Sequence, residues 1–168
     1  MTGKLRHPGS IVTSEISILT ANCGKKSTTT LEQYTAGGGY QGLRKALSLS
    51  PAEVVAEVKS AGLVGRGGAA FPTGVKWDLA AAEMRGPKYI MCNADEGEPG
   101  TFKDRLILSQ FPDLVMEGMT IGARAIGAPL GLIYLRAEYG YLKPLLLEVI
   151  ERRRKEGLLG QNIGGIEG

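Results

Sequence analysis

Apolar positions along the chain fall into two kinds of run. Over 51–62, 113–127 and 141–155 they recur every three or four residues, the spacing of a helix with one buried face. At Tyr89-Ile90-Met91-Cys92 and Leu132-Ile133-Tyr134-Leu135 they form short unbroken stretches, which predict buried strands. The sharpest helix start is Ser50-Pro51-Ala52-Glu53, an N-cap, a proline in the first turn and a glutamate that closes a capping box. Val54, Val55, Val58 and Ala61 continue that helix, and Gly62 stops it. Shorter helices are predicted from Leu31 to the Gly37-Gly38-Gly39 break, from Gln41 to Leu47 and from Val75 to Met84. In the helix over 113–127, Gly118 and Gly122 stand four apart and form a thin face for close packing. The helix over 141–155 tolerates Pro144 only in its first turn. Ile11, Val12, Ile16, Ile18 and Leu19 suit a strand in an otherwise weakly patterned start. From residue 87 the order is strand, acidic loop, helix, strand, helix, which predicts a parallel α/β sheet.

Composition narrows the function. Twenty Lys and Arg against seventeen Asp and Glu leave a net charge of +3 in 168 residues, too little to argue for nucleic acid. No apolar run reaches the ~18 residues of a membrane span, and Glu15 interrupts the only stretch that could serve as a secretory signal. Cys23 and Cys92 are too few for a disulfide framework or a four-thiolate cluster, and they fit free thiols in a reducing compartment. His7, the single histidine, speaks against a histidine zinc site or a Ser-His-Asp triad. The unusual item is glycine, 25 of 168 residues, roughly twice the usual share.

Four of those glycines fall in Gly65-Arg66-Gly67-Gly68-Ala69-Ala70-Phe71-Pro72-Thr73-Gly74. Such a loop exposes consecutive N–H groups to an anion, and Arg66 and Lys76 add charge-assisted contacts to a phosphate. A plain connector is the competing reading, although Arg66, Phe71, Pro72 and Trp77 are not linker residues. The Gly-x-Gly-x-x-Ala pattern from Gly65 to Ala70 is not an ordinary Rossmann site, because a helix rather than a strand precedes it. A Walker loop is absent.

The second candidate is Asn93-Ala94-Asp95-Glu96-Gly97-Glu98-Pro99-Gly100, just past the first predicted strand. Ligands of open α/β sheets bind outside the carboxyl ends of strands, and carboxylates there suit ribose hydroxyls or ring N–H groups. A solvated turn, a calcium loop without EF-hand spacing, and paired-carboxylate hydrolysis are the alternatives.

Together, Gly65–Trp77 and Cys92–Arg105 closely resemble the NADH-binding flavoprotein subunit of respiratory complex I and the same module in NAD-reducing hydrogenases, NAD-linked formate dehydrogenases and electron-bifurcating hydrogenases. Asn22-Cys23-Gly24, Gly38-Gly39-Tyr40, Tyr134–Tyr139, Glu151–Arg154 and Gly157–Gly160 look more like the hydrogenase and formate dehydrogenase branch. The similarity spans residues 20–163. It implies a Rossmann-like α/β FMN-binding domain with a mostly parallel sheet, truncated before its C-terminal part. Residues 1–48 would be an N-terminal extension with short helices, and 49–168 the first part of the FMN/NADH-binding domain.

The resemblance further implies hydride transfer between NADH and FMN, with electrons passed singly to iron–sulfur clusters in a missing C-terminal part or in partner subunits. Gly65, Arg66, Gly67, Gly68 and Lys76 would line FMN. Asn93, Asp95, Glu96 and Gly97 would hold its polar parts. Phe71 would stack on the dinucleotide, and Glu98 would face NADH. No residue is expected to act as a proton-transfer catalyst, and no metal ligand is expected. The location would be cytoplasmic, or peripheral at the membrane through a larger complex. An assembly fragment without stable FMN or redox activity is the alternative. Many relatives carry glycine where this chain has Ala70, so a positive φ there would strain it by ~1 kcal/mol or more.

Overall fold

The computed structural model describes residues 30–165 together with Leu19 and Cys23. The strand suggested by Ile11, Val12, Ile16 and Ile18 lies outside them. Helices α1 (Leu31–Ala36), α2 (Gln41–Ser48), α3 (Pro51–Ser60) and α4 (Thr73–Ala82) precede strand β1 (Tyr89–Ala94). Helices α5 (Lys103–Gln110) and α6 (Pro112–Ile126) cross over to strand β2 (Leu130–Leu135), and α7 (Lys143–Lys155) follows a 3-10 segment over Ala137–Leu142. The strands pair in parallel, with Tyr89 opposite Leu130 through to Ala94 opposite Leu135. The expected α/β class with parallel strands is therefore observed.

Helix α3 forms as its capping box dictates. The Glu53 N–H donates to Ser50 Oγ at 3.3 Å, and the Ser50 N–H donates to Glu53 Oε2 at 2.8 Å. Pro144 falls in the first turn of α7, where its missing N–H costs nothing. Helix α5 has no counterpart among the helices that the sequence predicts. It has a single buried side chain, Leu108, so no apolar period marks it, and Phe102 at its N-cap position supplies no side-chain bond.

Helix α6 is the hub, packed by α2, α3, α4, α7 and both strands. Leu108, Met116, Leu142, Leu146 and Val149 form one core with the inner face of the sheet. Val54, Val55, Ala125 and Ile126 form a second with Trp77 and Ile90. Gly122 is where α4 and β1 meet on α6: a Cβ there would stand 2.9 Å from Ile90 Cδ1 and 3.1 Å from the Trp77 ring. Gly118 has nothing within 4 Å of a Cβ, so only one of the two predicted packing glycines serves that end.

Both strands were expected to be buried, and the fold corrects this. Ile90, Cys92 and Ala94 turn inward, whereas Tyr89, Met91, Leu130, Leu132 and Tyr134 are exposed, Met91 by 60% and Tyr134 by 59%. Period-two alternation puts neighbouring residues on opposite faces, and among the described helices α6 packs on both strands from one side.

A buried polar cluster ties α1 and α2 to this hub. Glu117 on α6 accepts the Tyr34 hydroxyl at 2.6 Å, the Tyr40 N–H at 2.8 Å and the Leu43 N–H at 2.9 Å. Tyr40 sits at φ 64 and gives α2 no side-chain cap, so the Glu117 carboxylate caps α2 from another helix. Asp113, wholly buried, accepts from the Tyr40 hydroxyl and from Arg152 at 2.6 Å. Arg153 is also wholly buried, 5.1 Å over the Tyr40 ring, and donates to Thr120 Oγ1 at 3.1 Å. Burial, then the Glu117 carboxylate, pushes the Tyr34 phenol well above its ordinary pKa. Arg152 and Arg153 are thus engaged in this cluster, and Arg154 pairs with Glu151.

Candidate functional site

The glycine loop closes on its own backbone. The Gly65 N–H donates to the Phe71 carbonyl at 2.9 Å, the Thr73 N–H donates to the Leu63 carbonyl at 2.8 Å, and Val64 bridges Pro72. Residues 65–71 are exposed between those ties, and a Cβ on Gly67 or Gly68 would meet nothing within 4 Å. Gly74 differs. Its Cβ would lie 2.6 Å from the Lys59 backbone, so it is glycine because α3 and α4 touch there. Ala70 has φ 49, a conformation that strains any residue with a Cβ.

The loop runs directly into α4, and Pro72 at the N-cap position offers no side-chain bond. The Leu63 carbonyl takes the Thr73 N–H, and the positive end of α4 is left to the next N–H groups, at Gly74 and Val75, as at anion-binding helix starts. Lys76 lies one turn into α4, exposed, with no ion pair to a described residue. The Arg66 guanidinium folds back to donate to the Val64 carbonyl. Phe71 is 48% exposed, an aromatic face open to stacking.

The acidic loop is built by side chains instead. The Asn93 amide oxygen accepts the Asp95 N–H at 3.1 Å, and the Gly97 N–H donates to the Asp95 carbonyl at 3.0 Å. The Glu98 carbonyl accepts the Thr101 hydroxyl at 2.6 Å. Glu96 is buried, at 6% exposure. Its carboxylate accepts the Asp104 N–H at 2.8 Å and the Tyr139 hydroxyl at 2.9 Å, with the Arg105 N–H at 3.5 Å. It supplies the N-terminal cap that α5 lacks. Burial works against this carboxylate, but the hydrogen bonds from Asp104, Tyr139 and Arg105 outweigh it and hold its pKa below the ordinary value. Asp95, Gly97 and Glu98 are exposed, and the two exposed carboxylates accept no hydrogen bond from a described residue.

Arg136 and Tyr139, which sequence reasoning gave no role, complete this loop. The Arg136 N–H donates to the Ala94 carbonyl at 3.2 Å, extending the ladder of the sheet by one step, and its guanidinium donates to the Glu96 carbonyl. Arg136 also pairs with Glu138 at 2.9 Å. The pairing holds the Glu138 carboxyl down to about 2. Burial and the Glu96 carboxylate push the Tyr139 phenol up. The one available signal was the Tyr134–Tyr139 stretch, whose resemblance carried no assignment.

The two loops share no hydrogen bond or ion pair among the described residues. They are linked through α6, since Trp77 of α4 and Ile90 of β1 both close on Gly122. Among the described residues no group of three or more His, Cys, Asp or Glu is placed to hold a metal ion. No helix among them is long and apolar enough to cross a membrane.

Comparison with known proteins places this geometry in a family. The chain is 48% identical over 151 residues to the NADP-reducing hydrogenase subunit HndC of Solidesulfovibrio fructosivorans, which covers 90% of this chain and 31% of that protein. It is 51% identical over 137 residues to a subunit of the NADH-quinone oxidoreductase of Escherichia coli (strain K12), covering 80% of this chain and 31% of that protein. The crystal structure of an NAD+-reducing [NiFe]-hydrogenase in the air-oxidized state aligns with a TM-score of 0.60 at 47% identity, over 64% of this chain and 19% of that one. The chain thus spans about a third of the length of these two curated relatives. The model of the Nuo51 FMN-binding domain matches residues 58–164, which takes in both loops and the whole sheet, and the chain belongs to that family.

Proposed function

We propose that this chain is the FMN- and NADH-contacting part of an oxidoreductase subunit that moves a hydride between NADH and FMN. Iron–sulfur clusters elsewhere in the protein or in partner subunits would take the electrons onward. The observation that carries this reading is the open glycine loop feeding the start of α4, which has no side-chain cap, with Lys76 one turn in. That donor set fits a phosphate: free N–H groups, a helix start and a cation. Relatives named for NADH, NAD+ and NADP support a nicotinamide dinucleotide as the second ligand.

Bound FMN supplies a ring that exchanges a hydride at N5 and releases electrons one at a time. The chain's own residues bind and orient. Gly65, Arg66, Gly67, Gly68 and Lys76 hold the phosphate side. Asn93, Asp95 and Gly97 face the polar edge of the flavin. Phe71 stacks on the dinucleotide, and Glu98 sets its affinity through charge. Glu96, buried and bonded to Asp104 and Tyr139, acts through the loop it pins. Residues 49–168 are read as the first part of the flavin domain, with 1–48 as an extension.

Flavin fluorescence tests this. Titrating FMN into the chain should give weak, saturable quenching, and Lys76→Met should weaken it about tenfold, the size of one charge-assisted contact. Absence of saturable binding to the unaltered chain would overturn the proposal. The exposed apolar face of Tyr89, Met91, Leu130, Leu132 and Tyr134 favours a second reading, in which the chain works by docking to partner subunits. Glu98→Gln separates the two, because it alters NADH binding only under the first.

A further inference from the structure

We propose that Tyr139 and Arg136 are positioning residues of the nucleotide site, acting through Glu96 to set where the Asp95 and Glu98 carboxylates stand. The inference rests on the proposed function and extends it to residues outside both loops. Three anchors converge on one buried glutamate. The Tyr139 hydroxyl reaches its carboxylate from the 3-10 segment after β2 at 2.9 Å, and the Asp104 N–H reaches it from α5 at 2.8 Å. The Arg136 guanidinium takes its main-chain carbonyl. Arg136 is itself fixed, by its N–H on the Ala94 carbonyl and by Glu138.

Glu96 follows Asp95 directly and lies two residues before Glu98. Pinning both its backbone and its side chain therefore fixes the chain direction on either side. The Asp95 and Glu98 carboxylates accept no hydrogen bond from a described residue. Their placement comes from the backbone, which local bonds to Asn93 and Thr101 shape and which Glu96 ties to α5 and to the segment after β2. The β2 end is thus coupled to the β1 loop by more than the parallel ladder. Neither Tyr139 nor Arg136 touches the exposed carboxylates by a hydrogen bond, so each acts at one remove.

The test is a cycle of Tyr139→Phe and Glu98→Gln in the full chain, read by the affinity for tetrahydro-NADH, which cannot give up a hydride, with FMN in excess. Tyr139→Phe removes a single hydroxyl. It is expected to weaken this affinity about tenfold and to speed amide exchange over residues 97–105 by a similar factor, as for loss of one hydrogen bond to a charged group. The effect of Glu98→Gln should shrink in the Tyr139→Phe background, since two residues without contact couple only if one places the other. Strict additivity, or unchanged affinity in Tyr139→Phe, overturns the inference. Unchanged exchange over 97–105 overturns it independently of any ligand. An unaltered chain with no affinity for tetrahydro-NADH overturns the proposed function, and this inference with it. Arg136→Lys keeps the charge but loses the fork. Under positioning it matches Tyr139→Phe in direction, and full affinity in Arg136→Lys removes Arg136 from the account.

Discussion

Two glutamates in this molecule do the same physical job in different places. Glu117 and Glu96 each cap a helix whose own N-cap residue offers nothing, α2 and α5 respectively, and each also accepts a tyrosine hydroxyl, from Tyr34 and from Tyr139. Glu117 sits on α6, inside the core, and everything it bonds is structural. Glu96 sits in a loop, with exposed carboxylates on both sides. A remote cap can thus secure a fold or aim a site, and what decides is the element that carries it. On a rigid helix the cap holds the helices together. On a loop it holds the loop still.

The largest expected effect breaks the first half of the comparison. Glu117→Ala leaves the Tyr34 hydroxyl and two backbone N–H groups buried without an acceptor. Urea denaturation should show a loss of at least about 3 kcal/mol, since each orphaned donor costs roughly 1–3 kcal/mol. Loss below about 1 kcal/mol would mean that water replaces the carboxylate.

Glu96→Gln comes next, with a pH signature. A carboxyl held below its ordinary value of 4.5 contributes stability that is present above that value and lost as pH falls through the lower folded-state pKa. The unaltered chain should exceed Glu96→Gln by about 1–2 kcal/mol at neutral pH, and the gap should close under acid. A gap that stays constant from neutral to strongly acidic pH speaks against the hydrogen-bonded carboxylate.

Ala70→Gly is smaller and of opposite sign. Relief of the positive φ gains roughly 1–2 kcal/mol, and the freer unfolded chain takes back about 0.4–1 kcal/mol. A modest rise in melting temperature is expected, and a fall would show that the loop is relaxed at Ala70. Glu98→Gln should leave the melting curve in place while changing NADH affinity, because its carboxylate has no structural partner among the described residues. A shifted melting curve would move Glu98 into the scaffold.

Legibility in the sequence followed the range of the interactions. The α3 start was readable because its cap closes within three residues, Ser50 to Glu53. Helix α5 was not, because its cap comes from Glu96, eight residues earlier and across a turn. The Glu117 cap joins positions 77 residues apart, which no local window contains. Gly118 and Gly122 look alike in sequence, and only the arrival of Ile90 and Trp77 distinguishes them. The buried strands were half right, since an unbroken apolar run does not say whether one layer or two will cover it. Both candidate loops stand out by composition and resemblance. The resemblance assigns Glu96 to the cofactor, and the bonds that tie its carboxylate to Asp104 and Tyr139 are long-range contacts that no motif names.

The proposed function has the glycine loop and the acidic loop, separately built, serve one bound flavin. Nuclear magnetic resonance of the isotopically labelled chain during an FMN titration tests it most directly, because it reads weak binding residue by residue. Amide shifts are expected at Gly65–Gly68 and Lys76 and also at Asn93–Glu98, following one saturation curve, with Leu43 in the Glu117 cluster unmoved. Shifts confined to one loop, two different saturation curves, or changes centred on the exposed Met91 and Tyr134 face would contradict it.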